Sequence, residues 1–455
     1  MRIIKKKKES FLEKLSDKIT SNPPLYLTIG FAILILIGGC ILSLPIFTRS
    51  GKPTNLIDSI FVAASASCVT GLTTVNTADH WNSLGHVWIL LLIQIGGLGV
   101  MTLATLFPLL LRKKIGLKSR RILKEQLNID SLQGIMKLFK YVLVFTFLVE
   151  FLGAFLLSLR FVPIFGMGKG WWYSIFHSIS AFCNAGFDLL GDSIYPYRND
   201  TLVNVTLMSL IVIGGLGFMV TAELFRKRSF KKLSTHAKLV LIISAILIVI
   251  GSLAFYLIER QAGGVLYQEG IKNSILQSTF QSVSARTAGF YSVKLNQIHD
   301  TSVILLSVLM VIGGSPGSTA GGLKTTTFGV LVLSTISIFK QEDEVTIFNK
   351  HIDSKTIRKA LAIIMVYLGL IFLVIFILSL SENFKVLDIS YEVASAFGTV
   401  GASRGITGDF SNLGKILITL SMYLGRIGPM TMAYSIGLKS TTKYIRYPEA
   451  NISIG

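Results

Sequence analysis

The chain alternates long apolar runs with shorter apolar stretches that each end near a glycine, and this alternation occurs four times. The first short stretch covers residues 55–68, and Gly71 follows it. About a dozen helical residues span roughly 18 Å, which is too short to cross a hydrocarbon core of about 30 Å. Backbone that enters a membrane without crossing it must line a wet or protein-walled cavity. The sequence therefore predicts four re-entrant half-helices, each followed by a glycine loop.

The four loops share a short signature, in which a Ser-Ala pair precedes a glycine. The interval from serine to glycine is six residues in three loops and five in the third. The glycines lie about a hundred residues apart, a spacing far larger than that of solenoid repeats. The signatures run from Ser65 to Gly71, Ser180 to Gly186, Ser284 to Gly289 and Ser395 to Gly401. This recurrence predicts four quarters of one ring.

A second glycine motif follows each loop glycine after about two dozen residues. It occupies residues 95–99 (IGGLG), 213–217 (IGGLG), 312–317 (IGGSPG) and 424–428 (LGRIG). Two periodic motifs in phase make chance a poor explanation. In the first two copies, small residues at these spacings indicate close packing of helices.

One repeating unit thus comprises a span, a half-helix, a glycine loop, a second span and a basic block. The predicted first spans are 23–47, 135–159, 236–258 and 360–380, the half-helices are 55–68, 171–183, 271–285 and 389–397, and the second spans are 87–111, 202–225, 302–338 and 413–438. The chain divides into a basic segment 1–22, four pore units at 23–125, 126–234, 235–350 and 351–438, and a basic tail 439–455. The predicted fold class is an all-α integral membrane protein with eight spans in a pseudo-fourfold arrangement.

Composition supports a membrane protein. Hydrophobic residues make up 51% of the 455 residues and charged residues only 15%, well below the quarter typical of soluble domains. The cysteines Cys40, Cys68 and Cys183 lie in apolar sequence, with neither a CxxC spacing nor a histidine partner. They predict neither a disulfide framework nor a resident metal site.

Charge predicts the orientation of the spans. The net charge of +20 is carried by Lys and Arg blocks that lie between the apolar runs, which favours the positive-inside pattern over nucleic-acid binding. Eight spans with both termini in the cytoplasm place every basic block inside and the glycine loops outside, in the cell membrane. The basic segment 1–22 is either a solvated tail or a helix lying on anionic lipid.

Glycine loops arranged in a ring suit the replacement of an ion's hydration shell. Backbone carbonyls are strong dipoles without a net charge that would trap the ion. Aiming successive carbonyls at one axis requires unusual φ and ψ angles and no side chain on the axis, and glycine satisfies both conditions. The half-helices direct the partly negative ends of their dipoles at the same cavity. The candidate K⁺ ligands are Val69, Thr70, Gly71, Asn184, Ala185, Gly186, Thr287, Ala288, Gly289, Thr399, Val400 and Gly401.

Residues 313–324, the glycine-rich segment, interrupt the second span of the third unit. Five glycines and a proline within the ten residues 313–322 do not support a regular helix. We expect an intramembrane loop that obstructs the path below the ring; a broken helix that serves packing alone is the alternative. The candidate gate residues are Gly313, Gly314, Ser315, Pro316, Gly317, Ser318, Thr319, Ala320, Gly321, Gly322, Lys324 and Arg426.

Arg426 lies in the middle of the last predicted span. A charge at that depth costs about 3 kcal/mol on insertion scales and usually has a function. We expect Arg426 to face the pore or the glycine-rich segment; the alternative is an ion pair with Glu150 or Glu223. Asp188, just after the second loop glycine, is predicted either to concentrate cations at the pore mouth or to be an ordinary loop acid.

These loop sequences and the four units around them resemble the Trk/Ktr/HKT superfamily of cation transporters. The resemblance covers nearly the whole chain and is greatest for the membrane subunit of bacterial Ktr potassium uptake systems. In that family glycine at all four loop positions accompanies K⁺ transport, whereas serine at the first accompanies Na⁺ transport, so Gly71 implies K⁺. The resemblance also implies that residues 313–324 correspond to the family's intramembrane gate and Arg426 to its pore arginine.

The resemblance implies partners as well. Proteins of this kind form homodimers in which each protomer has its own pore, and they bind a cytosolic ring of nucleotide-binding regulatory subunits. We expect no cofactor in this chain, because the nucleotide belongs to that separate partner, which the linkers and the basic C-terminus would dock. Na⁺-dependent uptake is implied too, although no residue of the sequence identifies a Na⁺ site.

Three other functions compete with K⁺ uptake. A passive gated K⁺ channel keeps the pore but not the coupling to Na⁺. A membrane-embedded enzyme requires a buried catalytic set, yet among the histidines only His177 lies within an apolar element and no partner is placed by spacing. A scaffold without transport does not account for four matched half-helices.

Overall fold

The computed structural model describes residues 22–99, 117, 124, 135–429, 431 and 432, which form an almost entirely helical protein. The α-helices within these ranges are α1 (Pro23–Leu42), α2 (Leu56–Cys68), α3 (Thr77–His80), α4 (Ser83–Leu98), α5 (Ile135–Phe165), α6 (Met167–Phe182), α7 (Thr201–Gly215), α8 (Phe218–Lys227), α9 (Thr235–Glu259), α10 (Ile271–Ser284), α11 (Asp300–Val311), α12 (Thr325–Phe339), α13 (Ser354–Ser381), α14 (Val386–Gly398) and α15 (Asn412–Ile427). Short 3-10 helices lie at Pro45–Phe47, Tyr195–Tyr197, Phe230–Lys232 and Thr407–Asp409. The two-residue strands β1 (Thr346–Ile347) and β2 (Lys350–His351) pair antiparallel.

Three predicted features lie outside the described residues. They are the basic N-terminal segment apart from Asn22, nearly all of the first linker with its basic block, and the basic tail 439–455. The cytoplasmic location of both termini therefore stays a prediction.

Four helices of the described ranges are long and apolar enough to cross a membrane, namely α1, α5, α9 and α13. They lie where the sequence predicts the first span of each unit. Helix α1 ends earlier than predicted, at Leu42, and Pro45 soon afterwards opens a 3-10 helix; the residue before a proline disfavours the helical conformation. The outer faces carry exposed apolar side chains such as Phe151, Met365 and Phe372, as expected of helices that contact lipid.

The predicted half-helices are present as α2, α6, α10 and α14, and each packs against the long helix that precedes it. Their ends differ from prediction by a few residues. Helix α2 begins after Asn55, whose Oδ1 accepts a hydrogen bond from the Ile57 N–H at 3.0 Å and caps the helix. Helix α6 begins at Met167, four residues earlier than predicted. The C-terminal part of each half-helix is buried inside the protein.

In the first, second and fourth units the second span is not a single unbroken helix where the structure describes it; residues 100–111, 430 and 433–438 of the predicted spans lie outside the described residues. Helix α4 ends at Leu98, helices α7 and α8 meet at a bend of 101°, and α15 ends at Ile427. Each break coincides with the last glycine of the second motif, with φ of 88° at Gly99, 95° at Gly217 and 83° at Gly428. An α-helix cannot continue through a residue with positive φ, and glycine adopts that conformation without steric cost.

The earlier glycines of the same motif allow close packing, as predicted for the first two units. A Cβ atom on Gly96 would lie closer than 3.0 Å to the carbonyl oxygen of Ser67, near the end of half-helix α2. A Cβ atom on Gly214 would come equally close to Phe182 O in the second unit, and one on Gly425 would come equally close to Phe397 O in the fourth unit. In these three units the second helix therefore rests directly on the last turn of its half-helix, which only a residue without a side chain permits.

Candidate functional site

The four glycine loops, residues 69–71, 184–186, 287–289 and 399–401, meet in a closed ring. A Cβ atom built on any loop glycine would lie closer than 3.0 Å to a carbonyl oxygen of the next loop. Gly71 meets Ala185, Gly186 meets Ala288, Gly289 meets Val400, and Gly401 returns to Thr70. The order around the ring is therefore first, second, third, fourth, and no side chain fits at the glycine positions.

The backbone of each loop adopts the same uncommon conformation. The loop glycines have φ between 71° and 105°. Two residues before each glycine, a residue with a side chain also has positive φ: Val69 at 58°, Asn184 at 61°, Thr287 at 85° and Thr399 at 51°. Positive φ is a true outlier for β-branched residues, and such strain costs about 1–3 kcal/mol per residue. Strain repeated at the same position of four loops indicates a shared function.

The serine of each signature anchors its loop. In the first and fourth units the serine hydroxyl accepts a hydrogen bond from the N–H of the loop glycine. Gly71 N–H donates to Ser65 at 2.9 Å, and Gly401 N–H donates to Ser395 at 3.0 Å. In the second and third units the serine hydroxyl donates to the carbonyl oxygen of the residue after the glycine. Ser180 donates to Phe187 O at 2.8 Å, and Ser284 donates to Phe290 O at 2.5 Å. No anchoring role was predicted for these serines, although their recurrence five or six residues before each loop glycine is a signal that could have indicated it.

Carbonyl oxygens of all four loops lack hydrogen-bond donors. Within the described ranges, no N–H or O–H donates to the carbonyl oxygen of any residue in 69–71, 184–186, 287–289 or 399–401. These residues are buried or half-buried, and buried carbonyl groups are nearly always paired. The half-helix ends beside the ring add partial negative charge. The ring is therefore a cluster of unpaired backbone acceptors, which is chemically suited to a cation without its water.

An outer cavity of about 400 Å³ opens onto the ring and is lined by all four loop glycines. Asp188 lines this cavity, half-buried, and its Oδ1 accepts hydrogen bonds from the N–H groups of Leu190 at 2.8 Å and Gly191 at 2.7 Å. Burial raises the pKa of the Asp188 carboxyl and these two hydrogen bonds lower it. The effect of burial is larger, and the pKa is about 6. Asp188 therefore differs from an ordinary solvated loop acid, because it is tied to its own turn and faces the cavity.

The glycine-rich segment lies on the other side of the ring. Gly321 packs against the hydroxyl end of Thr399 in the fourth loop, and the Thr319 hydroxyl donates to Phe182 O at the end of α6 at 3.1 Å. An inner cavity of about 590 Å³ begins beyond the segment, which contributes part of its wall. Residues 313–324 thus separate the ring from the inner cavity.

The segment is held mainly through its backbone. Ser315 N–H donates to Gly215 O at 3.0 Å, and Gly322 N–H donates to Gly425 O at 3.2 Å. The Lys324 ammonium donates back into the segment, to Ala320 O at 2.9 Å. Backbone hydrogen bonds to two different helices make the segment an ordered obstruction in this conformation and not a loose connection.

Arg426 faces the glycine-rich segment, as one of the two predicted placements requires. Its guanidinium donates to the carbonyl oxygen of Thr319 and to that of Gly96 in the last turn of α4. A cation at a helix C-terminus is stabilised by the helix dipole. The alternative ion pair is absent from the described residues. Glu150 accepts a hydrogen bond from Gln94, and Glu223 forms a salt bridge with Lys227. Arg426 also lines the inner cavity.

His177, the histidine weighed for a membrane-embedded enzyme, contacts two backbone groups. His177 Nδ1 lies 2.7 Å from Tyr173 O, and its Nε2 lies 3.4 Å from the Leu189 N–H. Within the described ranges, no group of three or more His, Cys, Asp or Glu side chains is arranged to hold a metal ion. His177 is therefore engaged in positioning backbone.

Comparison with known proteins agrees with this geometry. The TrkH family model, described as a cation transport protein, matches residues 14–442. The chain is 42% identical to the potassium/sodium uptake protein NtpJ of Enterococcus hirae over 440 residues, which cover 95% of this chain and 97% of that protein. It is 40% identical to the Ktr system potassium uptake protein B of Bacillus subtilis over 443 residues, 97% of this chain and 99% of that one.

A solved structure shows the same fold. The crystal structure of the potassium transporter TrkH from Vibrio parahaemolyticus superimposes with a TM-score of 0.73 at 18% identity, covering 96% of this chain and 87% of the other. Near full-length matches at 40% identity and above leave no large part of the chain unaccounted for. The chain belongs to the TrkH family of cation transport proteins, and it is a multi-pass protein of the cell membrane and not an enzyme.

Proposed function

We propose that this chain carries K⁺ into the cell through the ring of glycine loops, whose carbonyl oxygens replace the hydration shell of the ion. One observation carries the proposal: twelve loop residues of a closed ring offer carbonyl oxygens to which no described donor bonds. Carbonyl dipoles coordinate K⁺ without binding it too tightly to leave. Glycine at all four ring positions and the names of the Enterococcus and Bacillus relatives support K⁺ as the ion.

The path for the ion runs through four pseudo-equivalent units. Eight spans with both termini in the cytoplasm place the outer cavity outside and the inner cavity towards the cytoplasm. This topology is supported by the Lys and Arg blocks between the apolar runs and by four described helices of membrane length at the predicted first spans.

The glycine-rich segment is the proposed gate. It lies between the ring and the inner cavity, and the positively charged Arg426 and the basic side chain of Lys324 lie at the same place. Cations there oppose the passage of K⁺, so conduction requires the segment and its arginine to move aside. Its backbone hydrogen bonds contribute about 1 kcal/mol each, and the bond from the charged Arg426 to Thr319 O contributes about 1.5–3 kcal/mol, amounts that a conformational change can break.

Control of the gate is proposed to come from outside this chain. A relative named as part of a Ktr system supports separate subunits, and we propose a homodimer that docks on a cytosolic ring of nucleotide-binding subunits. Na⁺-dependent uptake is proposed on the name of the Enterococcus relative, a potassium/sodium uptake protein.

Uptake of ⁸⁶Rb⁺ into lipid vesicles that contain the full chain tests the function. We expect uptake that K⁺ in excess abolishes and that vesicles without protein lack. Uptake that is equal for Na⁺ and Rb⁺ contradicts the proposed filter, and so does uptake that is absent even from a variant in which residues 316–320 of the proposed gate are deleted. Repeating the assay with and without Na⁺ at a fixed K⁺ gradient separates coupled uptake from a passive gated channel, which Na⁺ leaves unchanged.

A further inference from the structure

Two buried titratable side chains occupy the same position in two units. Glu392 precedes Gly401 by nine residues and His177 precedes Gly186 by nine residues. Both side chains are 0% exposed. They lie on the half-helices α14 and α6, behind the loops and away from the axis of the ring, and the proposed transport step uses neither of them.

Glu392 binds the backbone and side chains that follow the fourth loop. Its Oε1 accepts from the Ser403 hydroxyl at 2.5 Å and from the Arg404 N–H at 3.0 Å. Its Oε2 accepts from the Thr407 hydroxyl at 2.8 Å. One carboxylate therefore fixes three groups between the second and sixth residues after the loop glycine.

His177 makes the corresponding contact in the second unit. Its Nδ1 lies 2.7 Å from Tyr173 O, and because a carbonyl oxygen can only accept, Nδ1 carries the proton. Its Nε2 is then the acceptor for the Leu189 N–H at 3.4 Å. Leu189 and Arg404 each stand three residues after their loop glycine. His177 and Glu392 therefore accept hydrogen bonds from backbone N–H groups at equivalent positions of the two units.

The other two units have no such contact. Three residues before the loop serine, where His177 and Glu392 stand, the first unit has the buried apolar Val62 and the third unit has the buried Gln281, whose Nε2 has no hydrogen-bond partner among the described residues. The ring order places the second and fourth loops opposite one another. The two anchored loops among the described residues thus lie on opposite sides of the axis.

We propose that Glu392 and His177 are positioning residues that hold the outer ends of two opposite glycine loops and thereby set how well the ring distinguishes K⁺ from Na⁺. Neither residue touches the ion. Na⁺ is smaller than K⁺ and is coordinated well only if the carbonyl oxygens of opposite loops move inwards. Backbone that is anchored by hydrogen bonds resists that movement. The inference rests on the proposed function of the ring.

Replacement of Glu392 in the full chain, with ⁸⁶Rb⁺ and ²²Na⁺ uptake measured in the same vesicles, tests the proposal. In Glu392→Ala the Rb⁺-to-Na⁺ uptake ratio is expected to fall about tenfold. Glu392→Gln retains an acceptor for Ser403 and Arg404, and its ratio should stay within about twofold of the unmodified chain. A ratio unchanged in Glu392→Ala, or equally lowered in both variants, overturns the proposal.

Matched variants separate positioning from general destabilisation. His177→Val places in the second unit the residue that the first unit has naturally at this position, and we expect a lowered ratio there also. Val62→Ala changes the same position of the first unit without touching a polar anchor and should leave the ratio unchanged; a similar fall in that variant contradicts the proposal.

A further variant decides the matter if Glu392→Ala does not assemble in the membrane. The double variant Ser403→Ala with Thr407→Val removes two donors and leaves the carboxylate in place. A lowered ratio supports the anchor and an unchanged ratio overturns it. Failure of the proposed function itself has a different signature, since the unmodified chain would then show no selective uptake.

Discussion

The guanidinium of Arg426 is hydrogen-bonded to the backbone carbonyl of Thr319, which joins helix α15 to the middle of the glycine-rich segment. The same guanidinium reaches Gly96 O at the end of α4. One side chain therefore links elements of the first, third and fourth units directly beneath the ring. Hydrogen bonds from a charged donor contribute about 1.5–3 kcal/mol each, so this contact is a main restraint on the segment.

Arg426→Gln should open the gate. Glutamine has no charge and cannot reach both carbonyl oxygens with a planar fork, so the segment loses its restraint. We expect initial ⁸⁶Rb⁺ uptake to rise at least about fivefold, because glutamine replaces only part of the hydrogen bonding and a net loss of about 1 kcal/mol already shifts a closed–open equilibrium by that factor. The exposed Arg228, changed to Gln, is the control. Uptake equal to that of the unmodified chain would remove Arg426 from the gating mechanism.

Shortening the glycine-rich segment should have the same direction of effect. Deletion of residues 316–320 removes the part that carries Thr319 and shields the ring from the inner cavity. We expect severalfold faster Rb⁺ uptake with retained preference over Na⁺, because the ring itself is untouched. Slower or unchanged uptake would mean that the segment serves packing alone.

Gly71→Ser should weaken discrimination between K⁺ and Na⁺. Gly71 has a φ of 105°, and a Cβ there approaches Ala185 O at 2.6 Å, so the first and second loops must separate. We expect the Rb⁺-to-Na⁺ uptake ratio to fall about tenfold, equivalent to about 1.4 kcal/mol. Gly51→Ser is a matched control, since Gly51 has a φ of 66° but open space around it. Equal ratios in both variants would count against the filter assignment.

Uptake should depend on external pH through Asp188. Its carboxyl has a pKa raised to about 6 by burial, so it is negative above that pH and becomes neutral as the pH falls through about 6. Losing this charge at the outer cavity should raise the apparent KM for Rb⁺ roughly threefold, the effect of about 0.7 kcal/mol. Asp188→Asn should show the higher KM at all pH values. A variant that keeps the pH dependence of the unmodified chain would show that another group titrates.

Gly425→Ala should destabilise the protein. The added methyl group would collide with Phe397 O at the end of α14, and overpacking of this kind costs about 1–3 kcal/mol. We expect a lower Tm in detergent, measured by retention of a monodisperse peak after heating. Gly369→Ala in α13, where no atom lies within 4 Å of the new methyl group, should not lower the Tm. A Tm unchanged in Gly425→Ala would contradict the proposed close packing.

Much of the helical organisation could be predicted from the order of apolar runs. The long helices α1, α5, α9 and α13 and the four half-helices lie close to their predicted positions because length and apolar composition directly limit what can enter a membrane. The breaks after α4, α7 and α15 were not predicted. A glycine in an apolar run is compatible with both a continuous helix and a helix end, and only its φ decides between them.

The candidate site shows the same division. The recurring glycines could be found in the sequence because a pore needs backbone without side chains, and that requirement repeats in each unit. The contacts of Arg426 with Thr319 and Gly96, and those of Glu392 with Ser403 and Thr407, join residues whose partners no local pattern specifies.

The sequence alone determined that the chain enters the membrane repeatedly and that four glycines recur at equivalent places, because solvation by lipid and the steric freedom of glycine act on each stretch separately. Only the tertiary structure decided that the four loops close into a ring in chain order, with the glycine-rich segment beneath it. The physical reason is that a ring of carbonyl oxygens exists only once backbone from four distant parts of the chain is packed around one axis.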